Sequence, residues 1–350
     1  MKHLFIFLLI ALISISSAIA DDETEVYVLK AGHISEIVSG SMPEIYINGP
    51  INDTTIAKFV ATITVQQIKT GTVYLNSSGG NLISGIDLGR IIRKSGFSTN
   101  VGVKGNKYGN AKPGGCYSAC VLAYIGGYYR FSNSSSRIGV HRFSTDTPNK
   151  ADLDVAQIVS AAITGYLKES GVDVALFNRM SQAGKDEVYL LSAQESESLG
   201  VVNNGIRPST WTLQSEEEIM YLKGEQETLL GIGKILLTCI KGSLVAAAFY
   251  EAGENAPLIA ESTGRYSLRI NESFNPIRSL IRPVKVSNEY VSAYFQPTPD
   301  QTKKLLSAYS IGFAFHPPNP DIFYGFQIDA RDSHQQILNY IKYCNLQRSP

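Results

Sequence analysis

Between Glu44 and His141, short apolar runs of strand length alternate with amphipathic runs of helix length. This order constrains the fold more tightly than any other feature of the chain. Glu44 to Gly49 alternates with period two and reads as a strand. Asp53 or Thr54 can cap the helix that follows, which carries Ile56, Phe59, Val60, Ile63 and Val65. Thr72 to Leu75 is a β-branched and apolar strand ended by the turn Asn76-Ser77-Ser78-Gly79-Gly80. Leu82 to Lys94 reads as a helix stopped by Gly96, and Ser98 to Val103 as the next strand. The loop Gly105 to Gly115 leads into a buried helix over Tyr117 to Tyr124, and the strand Arg137 to Val140 delivers His141. Strand, helix and strand in turn predict parallel βαβ units and an α/β fold.

The pattern continues, then changes. Ala151 to Ser170 is a long amphipathic helix ended by Gly171, and Val172 to Met180 is another. Ser192 to Glu195 is a capping box opening a short helix that Gly200 closes. Thr210 to Glu227 is polar and acidic and reads as a linker or surface helix. Strand-like runs follow at 234–240, 243–250, 266–270, 293–296 and 311–315, with a helix near Gln336 to Tyr343. The 350 residues therefore predict two domains, an α/β domain over 21–212 and a smaller β-rich (α+β) domain over 213–350.

Residues 1–20 read as a signal peptide. Met1-Lys2-His3 is a short positive start, Leu4 to Ile15 an apolar core, and Ala18-Ile19-Ala20 a small-x-small cleavage site. No later segment is apolar enough to span a bilayer, so the expectation is a periplasmic or secreted protein with no stable membrane span after cleavage. The four cysteines suit a compartment where disulfides persist. Cys239 is expected to pair with Cys344, tying the first strand of the second domain to its last helix. Cys116 and Cys120 are a further pair within reach, although a bridge inside one helical turn would need distorted geometry. The spacings resemble no zinc site, and neither metal nor cofactor is expected. A formal net charge of zero gives no electrostatic argument for nucleic acid.

The chemistry concentrates around Ser118. It lies among small residues in Gly114-Gly115-Cys116-Tyr117-Ser118-Ala119-Cys120, where a tight strand-to-helix entry can form. His141, just beyond the next strand, can reach such a hydroxyl and serve as its base. The Gly79-Gly80 turn allows backbone N–H groups to approach a substrate carbonyl, and with the N–H of Ala119 it can form an oxyanion hole.

These pieces together resemble the Clp-type serine peptidases, which share a fold with the crotonases. The resemblance runs from about Glu44 to Asn203. Ile45 to Ile51 resembles the opening strand and turn of that family. Leu75 to Gly80 resembles its Asn-Ser-Pro-Gly-Gly loop with serine at Ser78. Ser118-Ala119 resembles the nucleophile turn, Gly139-Val140-His141 the histidine strand, and Leu190 to Glu195 with Leu199 to Val202 the closing strand-helix-strand piece. The resemblance implies a spiral of ββα units and a triad of Ser118, His141 and a carboxylate. That carboxylate is Asp186, offset by about two residues from the family spacing, with Glu187 the alternate. It further implies a polypeptide substrate and self-association into a homo-oligomer.

Three functions compete. The first is an exported serine peptidase. The second is a crotonase-type enzyme acting on an acyl thioester, which export argues against because coenzyme A substrates are cytosolic. The third is a non-catalytic envelope interaction protein that keeps the fold as a scaffold for a protein partner. A serine–lysine dyad is a variant of the first, but no position among Lys104, Lys107 and Lys112 favours it. The β-rich domain carries no catalytic constellation and is expected to be an accessory module.

Overall fold

The computed structural model of the chain describes residues 23–29, 42–105, 111–143, 152–184 and 187–347. The expected signal peptide and Asp186 lie outside the described residues. The first elements are β1 (Glu25–Leu29), β2 (Glu44–Asn48), α1 (Asp53–Val65), β3 (Thr72–Asn76), α2 (Leu82–Lys94), β4 (Ser98–Val101), β5 (Gly115–Tyr117) and α3 (Ala119–Ile125). Next come β6 (Arg130–Ser132), β7 (Arg137–Val140), α4 (Asp152–Glu169), α5 (Ala175–Gln182), β8 (Tyr189–Leu190) and α6 (Ala193–Ser198). The rest of the chain holds β9 (Thr210–Glu216), β10 (Ile219–Thr228), β11 (Gly231–Ile240), β12 (Ser243–Glu251), α7 (Ala256–Ser262), β13 (Arg265–Ile270) and β14 (Ser273–Ile277). It closes with β15 (Arg282–Ser287), β16 (Tyr290–Phe295), α8 (Pro299–Leu305), β17 (Ser310–His316), β18 (Tyr324–Asp329) and α9 (His334–Leu346).

The protein is thus mixed α/β with several sheets. Its described residues divide into two compact units that interleave along the chain. One is drawn from 1–127, 133–148 and 179–191, the other from 128–132, 149–178 and 192–350.

In the first unit β2, β3 and β4 are parallel neighbours, and β1 adds to β2 antiparallel. Ile45, Ile47, Val73 and Leu75 are buried from the sheet, and Phe59, Ile86, Leu88 and Ile92 from the helices. The cap of α1 falls one residue earlier than Asp53. Asn52 Oδ1 accepts from Thr55 N at 2.9 Å and Thr55 Oγ1 from Asn52 N at 3.2 Å, so the two residues cap each other reciprocally. Tyr27, Tyr46 and Tyr74 stack across β1, β2 and β3, with ring centroids 5.3 and 4.8 Å apart. Burial, with Glu44 beside it, pushes the Tyr74 phenol up to about 12.

A second, small sheet has the order β5-β7-β8, with β5 and β7 parallel and β8 antiparallel to β7. The sequence reading places 115–117 at the edge of a loop and helix. Here they form a strand, since Tyr117 N donates to Ser77 O at 3.0 Å and Ser77 N to Gly115 O at 2.8 Å. The Asn76 side chain reinforces that junction, accepting from Gly115 N at 2.9 Å and donating to Asn48 Oδ1 at 2.6 Å.

The second unit is β-rich. Its sheets have the orders β15-β16-β12-β11-β10-β9 and β14-β13-β17-β18, all antiparallel. Leu222, Ile235, Leu237, Leu268, Phe295, Phe313 and Ile328 meet Ile337 and Ile341 of α9 in one core. The expectation of a linker or surface helix at Thr210 to Glu227 is overturned. The segment is the hairpin β9–β10, turned at Glu217 and Glu218 with φ of 46° and 67°. Leu222, Gly224 and Gln226 point inward at alternate positions, while charged residues on the other face make the segment look polar throughout.

Candidate active site

Two residues reach the site by strand geometry. Tyr117 of β5 registers with Gly139 of β7, and Ser118 N donates to Gly139 O at 3.0 Å. Ser118 therefore leaves the end of one strand as His141 leaves the end of its parallel neighbour. Ser118 is also the N-cap of α3, with φ 55° and ψ −125°. A side chain at positive φ costs on the order of 1–3 kcal/mol and persists only where its surroundings hold it. Here the chain must turn from β5 directly into α3, and the turn leaves the serine at the junction.

The glycine loop closes over this turn. A Cβ on Gly79, whose φ is 112°, would sit 2.7 Å from Ser118 Cβ and 3.3 Å from Ala119 N. Ala119 N is the first amide of α3, a position with no acceptor inside its own helix. The Gly79 N–H donates to Ser77 Oγ at 3.0 Å, and Gly80 follows with φ 142°. From the other side α2 presses on α3, where a Cβ on Gly85 would lie 2.5 Å from Ala119 O. Gly79, Gly80, Ser118 and Ala119 thus share one junction. Gly79→Ala is expected to displace the loop or the serine. Stability should then fall by about 1–3 kcal/mol, read by urea denaturation against the parent chain.

His141 is half-buried, and its Nδ1 lies 2.9 Å from Arg142 O. A carbonyl can only accept, so this contact puts the proton on Nδ1 and leaves the Nε2 lone pair as the basic site. Of the carboxylates named for the third position, Asp186 lies outside the described residues, and Glu187 is exposed and accepts from Gly184 N at 3.4 Å. The Lys104 ammonium lies over the Tyr27 ring, 5.5 Å from its centroid. His316 and His334 are engaged in the second unit, by Ser267 Oγ and Ala308 O respectively. Among the described residues no group of three or more histidine, cysteine, aspartate or glutamate side chains is arranged to hold a metal.

The neighbours of Gly139, on the strand that carries His141, were not singled out by sequence. A Cβ on Gly139 would fall 2.9 Å from the Tyr117 ring and 3.1 Å from Leu190 Cδ2, so the strand bearing the histidine is lined by these groups. Val188 and Leu190 remain 47% and 50% exposed and form an apolar wall over Gly139 of β7. Only the pairing of β8 with β7 brings them there, and no local pattern could have announced it.

Both cysteine pairs are at disulfide distance. Cys239 of β11 and Cys344 of α9 are bonded with Cα atoms 5.4 Å apart. Cys239 lies on the third strand after residue 208 and not on the first, because β9 and β10 precede it. Cys116 and Cys120 are bonded with Cα atoms 5.3 Å apart. The bridge does not lie inside one helical turn, since Cys116 belongs to β5 and only Cys120 to α3.

No family model matches the chain, and no curated protein matches it either. Among solved structures, a serine-to-alanine mutant of the membrane-bound stomatin-specific protease 1510-N is similar over 45% of this chain and 75% of its own, at 19% identity and a TM-score of 0.35. ClpP1 from Listeria monocytogenes is similar over 46% of this chain and 88% of its own, at 18% identity and a TM-score of 0.36. Among the described residues, no helix is long and apolar enough to cross a membrane.

Proposed function

We propose that the protein is an exported serine peptidase in which residues 21–212 are a ClpP/crotonase-like spiral, with Ser118 as nucleophile and His141 as base. The observation that carries the reading is the backbone of Ser118. A serine held at φ 55° where a strand turns into a helix, one strand away from a histidine with a basic Nε2, is the arrangement an activated hydroxyl needs.

In this mechanism Ser118 Oγ attacks the substrate carbonyl while His141 Nε2 takes its proton. The developing oxyanion is met by the N–H of Ala119 and by the Gly79-Gly80 turn, each donor being worth roughly 3 kcal/mol of barrier. His141 then passes the proton to the leaving amine, and water repeats the cycle on the acyl-enzyme. Arg142 O steadies the Nδ1–H side of the ring. Asp186 is our choice for the orienting carboxylate and Glu187 the alternate. The apolar wall of Val188 and Leu190 suits an apolar substrate side chain. The signal-like residues 1–20 and the two bonded cysteine pairs support export to an oxidising compartment. Residues 213–350 are proposed as an accessory module.

A second reading, a non-catalytic envelope scaffold, is favoured by two contacts. The Gly79 N–H is taken by Ser77 Oγ, and His141 Nδ1 faces a carbonyl instead of a carboxylate. Incubation of the full chain with a broad peptide and ester library separates the two. The peptidase reading expects cleavage that a serine-directed phosphonate stops. No hydrolysis by folded, oxidised protein would leave the scaffold.

A further inference from the structure

The disulfide nearest the candidate site encloses its reacting groups. Cys116 is the middle residue of β5 and Cys120 the second residue of α3, and both are fully buried. Between them lie only Tyr117, Ser118 and Ala119. The covalent ring therefore contains the nucleophile candidate and the Ala119 amide, two groups that must keep their relative position through the reaction. An extended run of that length would separate the end Cα atoms by about 13 Å; the bridge holds them at 5.3 Å. It thereby ties the strand to the helix across the residue with φ 55°.

The other constraints on the turn are weaker in kind. Ser118 N donates to Gly139 O at 3.0 Å, Val121 N donates to Ser118 O at 2.9 Å, and the Gly79 loop rests on Ser118 Cβ. Each can open without breaking a covalent bond. Each also fixes one side of the turn, whereas the bridge joins both.

We propose that Cys116 and Cys120 are positioning residues of the peptidase site, their disulfide holding Ser118 and Ala119 in reacting geometry and making activity depend on oxidation. The proposal rests on the reading of Ser118 as nucleophile. Reduction by a dithiol breaks the S–S bond, closes the reductant to its own disulfide, and leaves a proton on each of the two thiols. The unbridged turn then relaxes, and the hydroxyl and the amide no longer face one carbonyl. The effect falls on the chemical step: kcat should drop on the order of 10²-fold, as for a reacting group displaced by about 1 Å, while KM stays within about twofold.

The test uses the full chain carrying Cys239→Ala and Cys344→Ala, so that the Cys116–Cys120 bridge is the sole disulfide. Phosphonate labelling of Ser118, kcat, KM and far-UV circular dichroism are measured oxidised, after reduction, and after reoxidation. A parallel variant adds Cys116→Ala and Cys120→Ala. The expected result is a fall in labelling rate and kcat on reduction and in the added variant, with unchanged dichroism and KM, and recovery on reoxidation. Labelling and kcat within twofold in the unbridged forms would overturn the proposal while leaving Ser118 as nucleophile. Loss of activity that tracks loss of secondary structure in both unbridged forms would make the bridge merely structural and overturn it as well. Oxidised protein that neither labels nor turns over would instead sink the reading on which the proposal stands.

Discussion

Ser118→Ala is expected to lower turnover by 10⁴-fold or more without unfolding the protein. On the proposed peptidase mechanism the magnitude follows from removing the attacking atom while leaving the oxyanion donors and the substrate surface in place. The backbone makes a companion prediction. Ser118 holds φ 55° and ψ −125°, a conformation that glycine adopts far more readily than a residue bearing a Cβ. Ser118→Gly should therefore be as inactive as Ser118→Ala yet more stable than the parent by about 1 kcal/mol in urea denaturation. On the peptidase reading, that cost is borne for the hydroxyl. A glycine variant that loses stability would show that the serine side chain supports the turn, and Ser118→Ala retaining turnover would remove the nucleophile altogether.

The second large effect is on stability. The Cys239–Cys344 bridge closes a sequence separation of 105 residues. Chain entropy assigns a loop of that size about 4–5 kcal/mol. The bridge also fastens α9, whose Ile337 and Ile341 are buried in the core of the second unit and whose Tyr340 hydroxyl donates to Met220 O at 2.8 Å. Cys239→Ala with Cys344→Ala should lower the Tm of the second unit by roughly 10–15 °C, taking its size as close to 200 residues. Phosphonate labelling of Ser118 should be unaffected. Calorimetry resolves the transition. A shift under about 3 °C would mean that the native state or residual structure in the unfolded chain offsets the entropy.

Much of the first unit is legible in the sequence because its elements carry their own signals. β2 and β3 alternate and α2 ends just before Gly96; at the start of the other unit's last stretch, Ser192 with Glu195 forms the capping box expected of it, Glu195 N donating to Ser192 Oγ at 3.1 Å. What escapes is structure made by partners distant in the chain. β5 is three residues without a β-branched side chain and is a strand only because Ser77 and β7 pair with it. The β9–β10 hairpin hides because one of its faces is charged. The site divides along the same line. Ser118, His141 and the glycine turn stand out by residue type and order. The apolar wall and the covalent ring around Ser118 depend on which strand lies beside which.

The measurement that bears most directly on Ser118 and His141 as a catalytic pair is the rate of fluorophosphonate labelling, with the adduct mapped by mass spectrometry, in the parent chain and in His141→Ala. The peptidase account predicts stoichiometric phosphonylation of Ser118, slowed on the order of 10²–10⁴-fold without the imidazole. Folded, oxidised protein that gives no adduct at Ser118, or an adduct formed at the same rate without His141, would contradict it.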